Sequence, residues 1–307
     1  MNKVYRVSDY IADFISKKKI KHVFLLPGGG NMHLVDAVAK SKKLHPISLL
    51  HEQAVSISSE AYSRINNNIG VSIVTTGPGS TNAITGVVGA WIESIPMVVI
   101  SGQVKSSDMI NKESLRQKGV QEVNIINLVK NITKYSITIK NPKDIKSILQ
   151  KAFYLATSGR CGPVWIDVPL DIQGSPVMKK NLRSWNHKVS KSKYKVGQIN
   201  NLKKAILKSK RPLILAGHGI RLSGGDKIFQ KVVNQLGIPF VTTWNSFDLL
   251  PHNHKLNIGK PGVVALRAPN FAVQNCDLLI SIGSRLDNII TAFDPKRFAS
   301  NAKKIVV

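Results

Sequence analysis

A carboxylate and three glycine turns are the places where this sequence could do chemistry. Glu52 stands in His51-Glu52-Gln53, after the short apolar run 47–50 and at the head of a stretch, 52–65, with helical spacing. A strand that delivers a carboxylate to the mouth of a helix, among apolar and small residues, leaves it poorly solvated. Such a group holds its proton more tightly and can exchange it with a bound ligand. The same position also suits a plain helix-end carboxylate favoured by the dipole. The glycine turns are Pro27-Gly28-Gly29-Gly30, Gly77-Pro78-Gly79-Ser80 and Gly217-His218-Gly219, each after an apolar strand-like run. Backbone at such a turn can approach a phosphate or a planar ligand closely. None has the order G-x-G-x-x-G, and none carries the Lys-Ser/Thr of a phosphate-binding loop. Taken singly, each reads as a strand-to-helix turn.

The elements that must position these residues alternate. Residues 5–18 have helical spacing (Val7, Ile11, Phe14, Ile15), and 22–26 read as a buried strand before the first glycine turn. A helix over 32–39, a strand over 47–50, the 52–65 helix and a β-branched strand over 71–75 follow. Then come a small-residue helix over 83–94 and strands over 97–101 and 164–168. Repeated strand-helix units predict a parallel sheet covered on both faces. The stretch 176–196 is rich in Lys and Ser and reads as a linker between a first domain, 1–175, and a second, 197–307. The second repeats the pattern, with a helix over 201–209 and strands over 212–216, 240–243 and 278–282. The chain stops in an apolar run, 304–307, that reads as a strand, so the second domain is expected to be cut short. The expected fold is α/β, with two doubly wound parallel-sheet domains.

Composition narrows the function classes. A chain of 307 residues suits two domains of roughly 150 residues each. Lys plus Arg number 44 and Asp plus Glu 17, a formal charge of +27, which raises nucleic acid as a partner. The lysines are scattered, however, and aromatics are only 6%, so there is little for bases to stack on. A generic basic surface is expected, with no nucleic-acid partner. No apolar run reaches the roughly 18 residues of a membrane span. The N-terminus shows no secretory pattern, and the two cysteines, Cys161 and Cys276, lie far apart with no metal-type spacing and make no disulfide framework. A cytoplasmic protein without membrane attachment is the expectation.

Together the motifs say more than any one of them. Pro27-Gly28-Gly29, His51-Glu52-Gln53-Ala54 and Gly77-Pro78-Gly79-Ser80-Thr81-Asn82 resemble the pyrimidine-binding domain of thiamine-diphosphate enzymes, most nearly the acetolactate synthase large (catalytic) subunits. The segments 96–103, Gln121-Glu122, 159–169 and 272–277 extend the resemblance over essentially the whole chain.

The resemblance implies a thiamine-diphosphate enzyme that decarboxylates a 2-keto acid, pyruvate first among them, and joins the product to a second keto acid. Another decarboxylase or carboligase of the same family, or a non-catalytic fragment or split subunit, is the alternative. Pro27, Gly28, Glu52, Gly77, Pro78, Gly79 and Asn82 are implied on the thiamine-diphosphate side. Glu52 would hydrogen-bond N1′ of the aminopyrimidine and so promote loss of the thiazolium C2 proton. Gly29, Gln121 and Lys134 are implied near substrate, with Lys134 read equally well as a surface lysine. Val120 stands where the synthases usually have Phe before that Gln. The central domain of the synthases holds FAD, and Arg160, Gly217, Gly219, Arg285 and Asp287 match its contacts. Departures at 259–262 and 288–292 leave FAD, ADP or no nucleotide open. The site is implied to form between two copies of the chain. The G-D-G…N motif that holds Mg2+ and the diphosphate is not found, so these ligands are expected in a C-terminal domain that is missing here. The chain alone is therefore expected to be inactive.

Overall fold

Residues 4–110, 115–186 and 196–307 are described in a computed structural model of the chain. The chain divides into two units, Met1–Lys188 and Val189–Val307.

The central strands of the first unit are apolar along nearly their whole length, as strands covered on both faces must be. In chain order its strands are β1 (His22–Leu25), β2 (His45–Ser48), β3 (Gly70–Val74), β4 (Met97–Gln103), β5 (Tyr135–Thr138) and β6 (Pro163–Pro169). They form one parallel sheet in the order β2-β1-β3-β4-β6-β5. The helices are α1 (Val7–Lys17), α2 (Met32–Ala39), α3 (Glu52–Asn66), α4 (Pro78–Asn82), α5 (Ile84–Glu93), α6 (Ile125–Val129), α7 (Ile145–Thr157) and α8 (Leu170–Gly174). Val7, Ile11 and Ile15 of α1, Leu34 of α2 and Phe153 of α7 bury their apolar stripes in one core with Val71, Ile73, Val98 and Ile100 of the sheet. Helix α3 lies against β3 through small side chains. A Cβ at Gly70 would overlap the Ser59 carbonyl, and Ser56, Ser59 and Ser63 are all buried.

The chain runs from β1 outward to β2, then returns to place β3 on the other side of β1. The crevice at the carboxyl ends of β1 and β3 is thus a topological switch point, where open α/β sheets bind ligands. Part of the stretch read as a linker packs on this unit. Pro176 bridges Arg6, the Val177 N–H donates to the Tyr5 carbonyl at 2.9 Å, and Leu182 joins the core. Residues 187–195 of that stretch lie outside the described residues.

The second unit carries α9 (Val196–Lys208), β7 (Pro212–Ala216), α10 (Gly219–Leu222), α11 (Asp226–Leu236), β8 (Phe240–Thr242), β9 (Asn257–Gly259), α12 (Arg267–Asn275), β10 (Leu278–Ile282) and β11 (Lys303–Val306). Its strands are parallel in the order β11-β10-β7-β8-β9, so the direction reverses between β7 and β10. Two parallel-sheet α/β domains are therefore present, as the alternating pattern predicts. Strands β5 and β9 and helices α7, α11 and α12 add to the elements read from the sequence. Among the described residues no helix is long and apolar enough to cross a membrane.

Candidate active site

Parallel pairing brings the first two glycine turns together, because β1 and β3 are neighbours and both end at the switch point. Contact between the turns is made through Thr75, directly after β3. Thr75 Oγ1 accepts the Gly30 N–H at 3.1 Å, and a Cβ added at Gly28 would sit 2.6 Å from the Thr75 side chain. Asn31, fully buried, holds the first turn from within: its Oδ1 accepts the Gly28 N–H at 2.8 Å and its Nδ2 donates to the Leu26 carbonyl at 3.0 Å. Neither Thr75 nor Asn31 emerges from motif reading. A short polar residue beside a glycine turn is common, and only the facing strand gives these two a task.

Strand β2 delivers Glu52 to the same end of the sheet as the first residue of α3. His51 caps that helix, its Nδ1 accepting the Gln53 N–H at 3.1 Å. Glu52 is only 8% exposed, and its Oε2 accepts from Asn82 Nδ2 at 3.0 Å. A Cβ at Gly79 would sit 3.1 Å from Oε1 and 2.5 Å from Thr75 Cγ2. A side chain at Gly79 would thus collide with Thr75 and crowd that oxygen. Pro78 begins α4, where its lost N–H has no helical partner to miss. Pro27 and Gly29 are exposed at the crevice turn, with no atom within 4 Å of a Cβ at Gly29.

Gln121 reaches this end from a distant loop. Gly77 has φ +59°, and a Cβ there would overlap the Gln121 carbonyl oxygen. Gln121 itself has φ +61°, and its neighbour Val120 is 84% exposed. Glu122 ties the loop by accepting the N–H groups of Ile110 at 2.6 Å and of Lys118 and Gly119 at 3.1 Å. Pro27, Gly28, Gly29, Glu52, Gly77, Pro78, Gly79, Asn82 and Gln121 are therefore gathered at one end of one sheet.

Lys134 is not gathered there. It precedes β5 and so lies at the amino end of the parallel sheet, opposite to Glu52. Nor is it a free surface lysine: it is half-buried, Nζ donates to the Ser158 carbonyl at 2.5 Å, and its stem lies against Gly162. Burial pushes its pKa down, with the neighbouring Cys161 acting in the other direction. Arg160 shares that end of the sheet, donating from Nε to Ser94 Oγ at 2.7 Å.

In the second unit the turn after β7 and the turn after β10 flank the switch point. Their glycines serve each other. The Gly219 N–H donates to the Gly283 carbonyl at 2.9 Å, the Gly217 N–H donates to the Ile282 carbonyl at 2.8 Å, and a Cβ at Gly217 would overlap Gly283. These two N–H groups are thus committed within the fold. Asp287 accepts the N–H groups of Ile289 and Ile290 at 3.0 and 3.1 Å and so shapes its own turn. Arg285 is exposed beside it. Among the described residues no three His, Cys, Asp or Glu side chains converge as metal ligands would.

Comparison with known proteins identifies a family. Residues 5–128 match the family "Thiamine pyrophosphate enzyme, N-terminal TPP binding domain", and residues 199–307 match "Thiamine pyrophosphate enzyme, central domain". The acetolactate synthase large subunit of Lactococcus lactis is 34% identical over 297 residues, covering 96% of this chain and 50% of the relative. That of Buchnera aphidicola subsp. Schizaphis graminum is 37% identical over 290 residues, 92% of this chain and 49% of the relative. That of Corynebacterium glutamicum is 34% identical over 289 residues, 92% of this chain and 44% of the relative. The chain spans about half the length of the curated relatives it matches. With both family domains matched, and with the buried carboxylate and paired glycine turns at the switch point of the first, the chain belongs to the thiamine pyrophosphate enzymes.

Proposed function

We propose that this chain supplies the pyrimidine-binding half of an acetolactate synthase-like active site, which decarboxylates a 2-keto acid and joins the product to a second keto acid. The observation that carries this reading is Glu52, buried at the start of α3 with Oε2 held by Asn82 and Oε1 beside Gly79, which has no side chain. That geometry suits a flat, nitrogen-bearing ring laid against the glycine turns, with a ring nitrogen on the carboxylate. Bound thiamine diphosphate supplies the electron sink for decarboxylation. Glu52 holds a proton at the ring nitrogen, Asn82 fixes the carboxylate, and Gly28 and Gly79 let the two turns close on Thr75 beneath the site. Gly29 and Gln121 face the keto acid, with pyruvate as the first candidate.

No residue of 1–307 is assigned to the diphosphate or to Mg2+; a diphosphate-binding domain, carried by this polypeptide or by a partner, would complete the site, and residues 1–307 alone are expected to be inactive. A second copy is the natural partner. Ile57 and Ile65 of α3 and Trp91 and Ile92 of α5 are exposed on two helices that pack on one another. In the second unit, a nucleotide such as FAD or ADP at the β7/β10 crevice would be held by Arg285 and by the exposed Trp244 and Phe247 rather than by the Gly217 and Gly219 N–H groups. Titration with FAD, followed by flavin fluorescence, decides that point.

The test of the main reading is Glu52→Gln in the full-length assembly. The variant should fold as the parent does but exchange the C2 proton of bound thiamine diphosphate about 10²- to 10⁴-fold more slowly, as loss of one positioned proton-transfer group does. Exchange and keto-acid turnover within about twofold of the parent would reduce Glu52 to a helix-end carboxylate.

A further inference from the structure

Gln103, the last residue of β4, is buried where a strand core ordinarily takes an apolar side chain. The register explains its company. Ser101 of β4 and Thr138 of β5 both stand opposite Asp167 of β6, and Gln103 follows Ser101 by two residues on the same face. The buried Asp167 carboxylate accepts from Ser101 Oγ at 2.7 Å, Thr138 Oγ1 at 3.1 Å and Gln103 Nε2 at 3.2 Å. The Trp165 indole N–H donates to Ser101 Oγ at 2.8 Å. Gln103 also reaches out of this cluster. Its Nε2 donates to the Val123 carbonyl at 3.0 Å, while its Oε1 accepts the Val104 N–H at 3.0 Å. Both ends of the amide are thus used, and one of its bonds grips the loop that carries Gln121.

A carboxylate pays a desolvation penalty in a core, and a satisfied polar cluster there specifies geometry that apolar packing would leave looser. The geometry points to Gln103 as a positioning residue: braced by Asp167, it fixes Val123 and so the backbone that sets Gln121 against the Gly77 turn. Glu122, through Ile110, Lys118 and Gly119, and the contact of Gln121 with Gly77 also anchor the loop. Gln103 holds it from the sheet. The inference rests on the proposed function only for what Gln121 faces; the bracing is a property of the first unit.

Amide hydrogen exchange of the 307-residue chain, read by mass spectrometry, separates the two. Gln103→Met keeps the volume and removes all three side-chain hydrogen bonds, and Gln103→Leu is a second, independent variant should the first fail to fold. Thr138→Val deletes one donor to the same carboxylate without touching the path to Val123. Exchange in residues 119–125 should rise about five- to tenfold in the Gln103 variants, the effect of one lost buried hydrogen bond, and stay at the parent rate in Thr138→Val. Parental exchange in either folded Gln103 variant would overturn the inference, as would equal acceleration in all the variants, which would make the cluster merely structural. In the full-length enzyme, Gln103→Met should raise KM for the keto acid about tenfold while kcat stays within about twofold. A loosened loop with unchanged KM would instead sink the assignment of Gln121 to the substrate and leave the bracing intact.

Discussion

Replacing Asp167 by Asn should remove a pH dependence from the stability of the first unit. Asp167 is 1% exposed, and the groups that bond it, Ser101, Gln103 and Thr138, are neutral. Burial raises its pKa to about 7, with those three hydrogen bonds pulling the other way. In the unfolded chain the same carboxyl titrates near 4. Below about pH 4 it is protonated in both states and contributes no pH dependence. Between about 4 and about 7 the folded protein keeps a proton that the unfolded chain has released, so raising the pH favours unfolding. About three units at 1.36 kcal/mol each come to roughly 4 kcal/mol lost across that window, with no further loss above it. Urea denaturation at half-unit steps from about pH 4 to about pH 8 measures this. The parent minus Asp167→Asn difference cancels the other carboxylates, including Asp36, whose pKa Lys40 and Arg6 hold down. A difference that stays constant within about 0.5 kcal/mol over the whole range would show that Asp167 is ionised throughout, and the burial argument would fail.

Two glycine substitutions probe the turns. Gly77→Ala places a Cβ at φ +59° and against the Gln121 carbonyl, so it should cost about 2 kcal/mol or more in urea denaturation of the first unit. A loss under about 0.5 kcal/mol would mean that the Gln121 loop does not rest on this turn. Gly217→Ala has no such backbone strain but would press on Gly283, and about 1–3 kcal/mol of destabilisation is expected in the second unit. If Gly217→Ala were neutral in stability yet abolished nucleotide binding, the glycine would serve a ligand and not the facing turn.

Some of this protein was determined by its sequence alone, because the signals are local. Alternating apolar strands and helices, with glycine turns after β1, β3 and β7, predict parallel α/β sheets. The strand limits at Pro212–Ala216 and Leu278–Ile282 agree residue for residue with the apolar runs. Glu52 at the start of α3 was equally legible, since a helix start is written within a few residues of itself. Tertiary structure decided the rest. Gly77 meets Gln121 across 44 positions of chain and Ser101 meets Asp167 across 66, pairs that no spacing rule connects. Lys134 and Glu52 each stand beside a strand, yet strand direction sends them to opposite ends of one sheet. The glycines at 217 and 219 show the limit most plainly. A glycine turn after a strand has the same local sequence whether its N–H groups await a phosphate or are taken by another turn. Only the pairing of β7 with β10 fills them.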